Sequence, residues 1–216
     1  MNGNYPDCII HRCKQREPEW FAIRRGILTA SRVGPWLLKS DATSTKAREG
    51  AICELIAELA ECEEEPERFE NWAMKRGTKY EPDAVAAFER STGKTVTEVG
   101  FCRSKHGLFG CSPDGLIEAD GSGIEGKVPI PKSHIAYRRA GVLPSEYLYQ
   151  VHFSMAVTGA KSWWFQSWNP DLANLRIEIP RDELTEKILT AAIAFSRELE
   201  AAFEAERVAY GKEFGV

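Results

Sequence analysis

The sequence contains no apolar run approaching the ~20 residues of a membrane-spanning helix. Its opening, MNGNYPDCIIHRCK, lacks the charged-then-apolar order of a secretory leader. No CxxC pair occurs among its six cysteines, and none of its four histidines is spaced as a zinc partner. Internal repeats, low-complexity linkers and a second composition regime are also missing. There is no basic excess: 28 Lys and Arg face 32 Asp and Glu, a formal net charge of −4. These absences exclude membrane, secreted disulfide-scaffold, fibrous and histone-like classes. They predict a soluble, cytoplasmic protein whose cysteines are buried free thiols in reducing surroundings.

What is present is an ordinary globular composition, with 43% hydrophobic and 28% charged residues over 216 positions. A chain of this length buries roughly 70% of its unfolded surface, enough for a substantial core. The negative charge is concentrated. Residues 54–70 hold eight Glu and one Arg, which leaves a net +3 for the rest of the chain. Such a run reads as a solvated helix face and an acidic loop, and it leaves room for one basic cleft elsewhere.

Hydrophobic spacing predicts short helices over 17–39, broken at Gly26 and Gly34–Pro35, with Thr29 or Ser31 as N-caps. A helix at about 46–61 carries Ile52, Leu55, Ile56 and Leu59 on one face, Pro66 interrupts, and another helix runs from about 79 to 91, stopped by Gly93. Residues 94–128 turn β-prone and glycine-punctuated, reading as strands and hairpins in a meander. Helices at about 132–140 and 144–158, strands in KSWWFQSW and NLRIEIP, and a final helix over about 181–209 complete the chain. The final helix has a stripe of Leu184, Ile188, Ala192, Phe195, Leu199 and Phe203. The pattern predicts a single α+β domain (1–216), with a mixed sheet flanked by helices. Its parts are an N-terminal helical portion to about 92, a sheet core over about 93–180 and the C-terminal helix.

Gly121-Ser122-Gly123-Ile124-Glu125-Gly126 matches the dinucleotide-binding G-x-G-x-x-G letter for letter. Pro129 and Pro131 follow where a helix would have to open, so the match is accidental and the glycines read as a hairpin turn. The informative residues flank that turn. Asp114, in Ser112-Pro113-Asp114-Gly115, precedes Glu125-Gly126-Lys127 on the next strand, so both carboxylates can meet at one end of a sheet. Glu125 and Lys127, two apart on a strand, share a face. Two carboxylates converging beside an ammonium suit a Mg²⁺ ion held by one or two carboxylates and substrate phosphate oxygens. Phosphodiester hydrolysis uses such a metal to polarise the phosphoryl oxygen, activate water and stabilise the leaving alkoxide. Lys127, beside a metal and so inclined to lose its proton, could orient or deprotonate that water. An unexceptional surface hairpin carries the same three letters, so the triad does not decide the matter alone.

The wider pattern is more specific. In order come Trp20, then Ile23-Arg24-Arg25-Gly26-Ile27-Leu28-Thr29-Ala30-Ser31, then Arg76-Gly77-Thr78-Lys79-Tyr80-Glu81. Cys111-Ser112-Pro113-Asp114-Gly115, Glu125-Gly126-Lys127-Val128-Pro129 and Gln150-Val151-His152-Phe153-Ser154-Met155 follow. Over about residues 17–180 the sequence resembles the lambda-type alkaline exonucleases, phage-recombination nucleases of the PD-(D/E)XK, restriction-endonuclease-like fold. The resemblance implies that Asp114, Glu125 and the Gly126 carbonyl hold Mg²⁺ (Mn²⁺ as a substitute), with Lys127 beside the attacking water. It implies that Glu81 serves a second ion and that Gln150 supports the site. Arg24, Ser31 and Ser112 match the positions that receive a terminal 5′-phosphate, an assignment suited to a guanidinium fork and a helix-start hydroxyl. The implied activity is 5′-to-3′ digestion of one strand of duplex DNA to mononucleotides, leaving a 3′ tail. A ring-shaped homotrimer around DNA, a single-strand-annealing recombinase partner and a phage or prophage host come with it. Ser104 stands where some relatives carry Asp, and Phe153 where related nucleases tend to carry Tyr.

Lys75, Arg76 and Lys79 form one basic patch, and Lys132, His134, Arg138 and Arg139 another. Both suit DNA-backbone contact, Arg76, Lys79, Arg138 and Arg139 above all. His134 itself reads as an ordinary surface histidine. Trp163, Trp164, Phe165 and Trp168 suit sheet core or subunit packing better than base stacking. Trp20 suits a packing anchor or a partner-docking residue. A restriction-type endonuclease of the same fold and a non-catalytic DNA-end-binding or recombinase-loading module are the alternative functions. An iron–sulfur nuclease with cysteines after its lysine ranks low, because no cysteine follows Cys111.

Overall fold

The computed structural model of the chain describes residues 4–62 and 72–214. Two four-stranded sheets form its middle. The first, in the order β1-β3-β4-β2, is built from β1 (Cys8–His11), β2 (Leu28–Thr29), β3 (Phe101–Ser104) and β4 (Phe109–Cys111). The second, in the order β5-β6-β7-β8, contains β5 (Gly115–Ile117), β6 (Ser122–Lys127), β7 (Ser162–Ser167) and β8 (Leu175–Pro180). Each is mixed: β2 runs parallel to β4 and β6 parallel to β7, while the other pairs are antiparallel. The α+β class is as the sequence predicts. The 94–128 stretch, however, is no single meander, because the chain leaves the first sheet after β4 and enters the second at β5.

Around the sheets lie α1 (Pro18–Arg24), α2 (Ala42–Leu59), α3 (Trp72–Thr92), α4 (Pro131–Ala140), α5 (Ser145–Thr158) and α6 (Glu183–Phe214), with 3₁₀ turns at Ala30–Arg32 and Pro35–Leu37. Helix α2 starts earlier than its apolar spacing indicates, because the Asp41 carboxylate caps it by accepting from the Ser44 N–H at 2.9 Å. Thr29 does precede a 3₁₀ turn, but its side chain makes no capping bond. The part of the acidic run at 63–71, with Pro66, lies outside the described residues. Helix α3 tolerates Pro82 in its interior and ends at Gly93, whose φ of +68° favours glycine.

Helix α5 is the axis of the molecule. Residues Val151 through Thr158 are all buried, because α5 packs on β3 and β4 of one sheet, on β7 of the other, and on α6. The main core runs from Tyr5 to Leu199 and includes Phe109, Phe153, Trp163, Phe165 and Phe195. The predicted α6 stripe is in place, with Ile188, Ala192, Phe195 and Leu199 fully buried. Gly123 makes room for Trp163: a Cβ there would stand 2.3 Å from the indole. Trp163, Phe165 and Trp168 are thus buried packing residues. Among the described residues, no helix is long and apolar enough to cross a membrane.

All six cysteines are free, but they are not uniformly buried. Cys8, Cys102 and Cys111 sit inside the first sheet, whereas Cys53 and Cys62 are exposed. Those two lie in the charged stretch of α2 and just beyond it, outside the apolar stripe that faces the core.

Candidate active site

Asp114 immediately precedes β5, and Glu125 lies on β6. Gly115 pairs with Ile124, so the antiparallel register sets the two acidic residues opposite one another. The Gly126 N–H donates to Asp114 Oδ2 at 2.6 Å, and a Cβ on Gly126 would stand 3.5 Å from the same oxygen. Glu125 is almost fully buried, with 2% exposure. Its Oε1 accepts from Lys127 Nζ and, at 2.7 Å, from Gln150 Nε2 on α5. Asp114, Glu125 and Lys127 therefore meet at one end of the sheet, and Gln150 reaches them from α5.

The electrostatics follow from crowding two acids away from water. Desolvation, with repulsion from Glu125 and Glu81, pushes the Asp114 carboxyl up to about 8, against the attraction of Lys127. For Lys127, burial alone favours the neutral amine. The charges of Glu125 and Asp114 outweigh burial and hold the ammonium well above the ordinary lysine range. This corrects the sequence expectation of an easily lost proton: before any cation binds, the nearest charges are both negative. Among the described residues, no group of three or more His, Cys, Asp or Glu side chains forms a ready-made metal cage. What the site could offer a cation is two facing carboxylates beside the Gly126 carbonyl.

Glu81, on α3, is near enough to Asp114 to act on its charge, but its own partner is Arg16, whose Nη2 lies 3.3 Å from Glu81 Oε2. Arg16 holds a left-handed backbone (φ 68°), uncommon for a residue with a side chain. Next to it, Gln15 Nε2 donates to the carbonyls of Val99 (3.0 Å) and Pro113 (2.9 Å), pinning the segment that carries Asp114.

A second cluster adjoins the first. Arg24 Nη1 donates to Ser112 Oγ at 2.6 Å, its guanidinium lies 3.9 Å from the centre of the Trp20 ring, and Trp20 Nε1 donates to the same hydroxyl at 3.0 Å. Trp20 is thereby a packing anchor, bonded also to the Gly100 carbonyl. Ser31 is exposed, with its Oγ 3.3 Å from Thr29 Oγ1. Thr29 pairs with Gly110 in parallel strands, so Ser31 and Ser112 leave the sheet at the same end.

The profile of the YqaJ-like viral recombinase domain matches residues 19–161, a span that holds Asp114, Glu125, Lys127 and Gln150. The chain belongs to this family, that of the alkaline exonucleases. The alkaline exonuclease LHK-Exo of Laribacter hongkongensis is 35% identical, over 91% of this chain and 99% of that one, with a TM-score of 0.76. LHK-Exo in complex with dAMP superposes at 0.78, with the same identity and coverage. A phage-related exonuclease from Haemophilus somnus 129PT, 12% identical over 84% of this chain and 96% of that one, has a TM-score of 0.61 and shares the fold. No curated protein sequence matches the chain.

Within this alkaline-exonuclease frame the remaining predicted residues fall into place or move. Lys79 and Arg76, two and five residues before Glu81 on α3, lie about the Tyr80 ring, at 5.1 and 5.0 Å. Arg138 and Arg139 are exposed on α4. His134 is no surface histidine. It is fully buried, with Nδ1 2.8 Å from Ser167 Oγ and Nε2 3.0 Å from the Ala173 carbonyl, and it ties α4 to the second sheet. Ser104 is buried, its Oγ accepting from the His106 N–H, and Phe153 packs edge-on against Phe109. Both departures from the family pattern are thus core residues. Gln15, Arg16 and Tyr147 were not singled out from sequence. Gln15 and Arg16 precede Trp20 in a loop without periodicity, and Tyr147 carried one signal, its position one turn before Gln150.

Proposed function

We propose that this alkaline-exonuclease-family chain is a Mg²⁺-dependent exonuclease that digests the 5′-phosphorylated strand of duplex DNA from its end, releasing mononucleotides. The product is a 3′ single-stranded tail for an annealing recombinase, and the working form is a ring-shaped homotrimer around the duplex. The observation that carries the reading is half-buried Asp114 facing buried Glu125 beside Lys127, two acids so crowded that the Asp114 carboxyl is driven to hold its proton in the absence of a cation. A hard divalent ion answers such a pair. Lys127 and Gln150 both bond Glu125 Oε1, and Gly126 bonds Asp114 Oδ2. Glu125 Oε2, Asp114 Oδ1 and the Gly126 carbonyl are the oxygens that would hold Mg²⁺, an ion suited to a few protein oxygens beside substrate phosphate. Glu81 would serve a second ion once released from Arg16.

When bound, Mg²⁺ supplies Lewis-acid polarisation of the phosphoryl oxygen and activation of the attacking water. The chain's own residues do the rest. Gln150 keeps Glu125 from rotating. Lys127, retained as an ammonium, donates to the water or to a non-bridging phosphate oxygen and so orients the attack. Arg24, Ser112 and Ser31 supply donors to a terminal phosphate, and exposed Arg138, Arg139 and Lys79 draw in the backbone.

The test uses linear duplex labelled separately at each 5′ and 3′ terminus, with and without 5′-phosphate, beside a covalently closed circle. The reading expects loss of 5′ label as mononucleotide, a preference for 5′-phosphate, inertness of the circle and full inhibition by EDTA. Efficient cutting of the circle overturns it in favour of an endonuclease. Unchanged activity in Lys127→Ala and Asp114→Ala favours the non-catalytic module.

A further inference from the structure

We infer that Tyr147 is the positioning residue for Lys127, holding its ammonium over the site through the face of its ring. The inference deepens the proposed function and rests on it. Lys127 Nζ lies 5.1 Å from the centre of the Tyr147 ring, within the range of a cation–π contact. The Lys127 side chain is 27% exposed and has a flexible four-carbon stem, so something must keep it from swinging into solvent. Glu125 does so in part, but Glu125 is also the residue offered to the metal. Were a divalent ion to draw on that carboxylate, its hold on the lysine would weaken. A ring quadrupole carries no net charge and does not compete for the ion, so its grip persists.

The framework around the ring is rigid. Tyr147 stacks on Phe165 at 5.2 Å and 28°, and fully buried Phe165 is the β7 neighbour of Glu125. Tyr137 meets Tyr147 edge-on at 6.2 Å and 85°, and the Tyr137 hydroxyl donates to Glu146. The spacing also matches. Tyr147 and Gln150 are three apart on α5 and so share a face, while Glu125 and Lys127 are two apart on β6 and share theirs. One helix face thus meets one strand face in two contacts, Gln150 to Glu125 and Tyr147 to Lys127.

The test compares Tyr147→Phe, which keeps the ring, with Tyr147→Leu, which removes it. In protein carrying ¹³C-lysine and no metal, the side-chain methylene signals of Lys127, assigned by Lys127→Arg, are expected upfield in the native protein and Tyr147→Phe. They should return to ordinary lysine values in Tyr147→Leu. On 5′-phosphorylated duplex, Tyr147→Leu should lower turnover about tenfold with DNA-end affinity unchanged, and Tyr147→Phe should stay within about twofold of native. In a Lys127→Ala background, Tyr147→Leu should cost nothing further. An unshifted Lys127 signal in native protein, or equal losses of binding and turnover regardless of Lys127, overturns the inference. If native protein cleaves no DNA, the functional reading falls, while the Lys127 signal still decides whether the ring holds the ammonium.

Discussion

At the scale of single residues, the site is governed by how few groups oppose its negative charge. The Asp114 carboxyl, raised to about 8, is largely protonated at neutral pH in metal-free protein, whereas in the unfolded chain it ionises near its ordinary value. The folded state therefore binds more protons between roughly pH 4 and 8, and this group's contribution to stability falls as pH rises through that window. If Asp114 holds Mg²⁺ as proposed, the ion would have to displace that proton. Its affinity should weaken about tenfold per unit as pH drops below about 8, with close to one proton released, as calorimetry in buffers of different ionisation enthalpy would measure. A pH-independent affinity would remove Asp114 from the ligand set. Arg24→Ala should slow digestion of 5′-phosphorylated ends by about tenfold or more while barely affecting 5′-hydroxyl ends, because a guanidinium–phosphate bond is among the stronger polar contacts. Equal losses on both substrates would place Arg24 in packing alone. Asp114, Glu125 and Lys127 were legible in the sequence because their spacing is that of a hairpin with period-two strands. Arg16 and Gln15 were not, since a loop residue's partners are set by tertiary closure and leave no periodic trace. His134 misled for a related reason: its burial comes from Ser167 and Ala173, far along the chain.

At the scale of elements, α4, α5, α6, β7 and β8 follow from the sequence because each is long enough for its period to show, and so does the end of α3, although α3 begins at Trp72, ahead of the expected start near 79. β1 and β2 did not, being four and two residues long, and β2 was hidden inside a stretch that reads as helical. The division into two sheets was also invisible, because hairpin signals say which strands neighbour in sequence but not where the chain changes layers. β6 offers a direct test of packing. Gly123→Ala would drive a methyl group into the Trp163 indole, a fully buried ring with no open side. The expected cost is about 1–3 kcal/mol, or roughly 2–12 °C in melting temperature for a chain of this size, read by thermal denaturation. A neutral substitution would mean that Trp163 is far less constrained than its burial indicates.

At the scale of the whole molecule, the proposed ring makes a kinetic prediction distinct from chemistry. A subunit ring threaded by duplex should continue digesting its first substrate after excess unlabelled DNA is added, and light scattering should report about three times the mass of one chain. A monomer that stops within a few nucleotides of the challenge would leave the active site intact but discard the encircling assembly. The path of the chain has a further consequence. Ser112, Pro113 and Asp114 form the short covalent connection by which the chain passes from β4 of the first sheet to β5 of the second. On the proposed assignment, the grip on a DNA terminus and the ligand of the cutting metal stand two residues apart, about 7 Å of extended backbone. On that assignment so short a covalent ruler would allow no slack: each cut would fall at the same length from the end, with the size of the product set by the span between a serine and an aspartate.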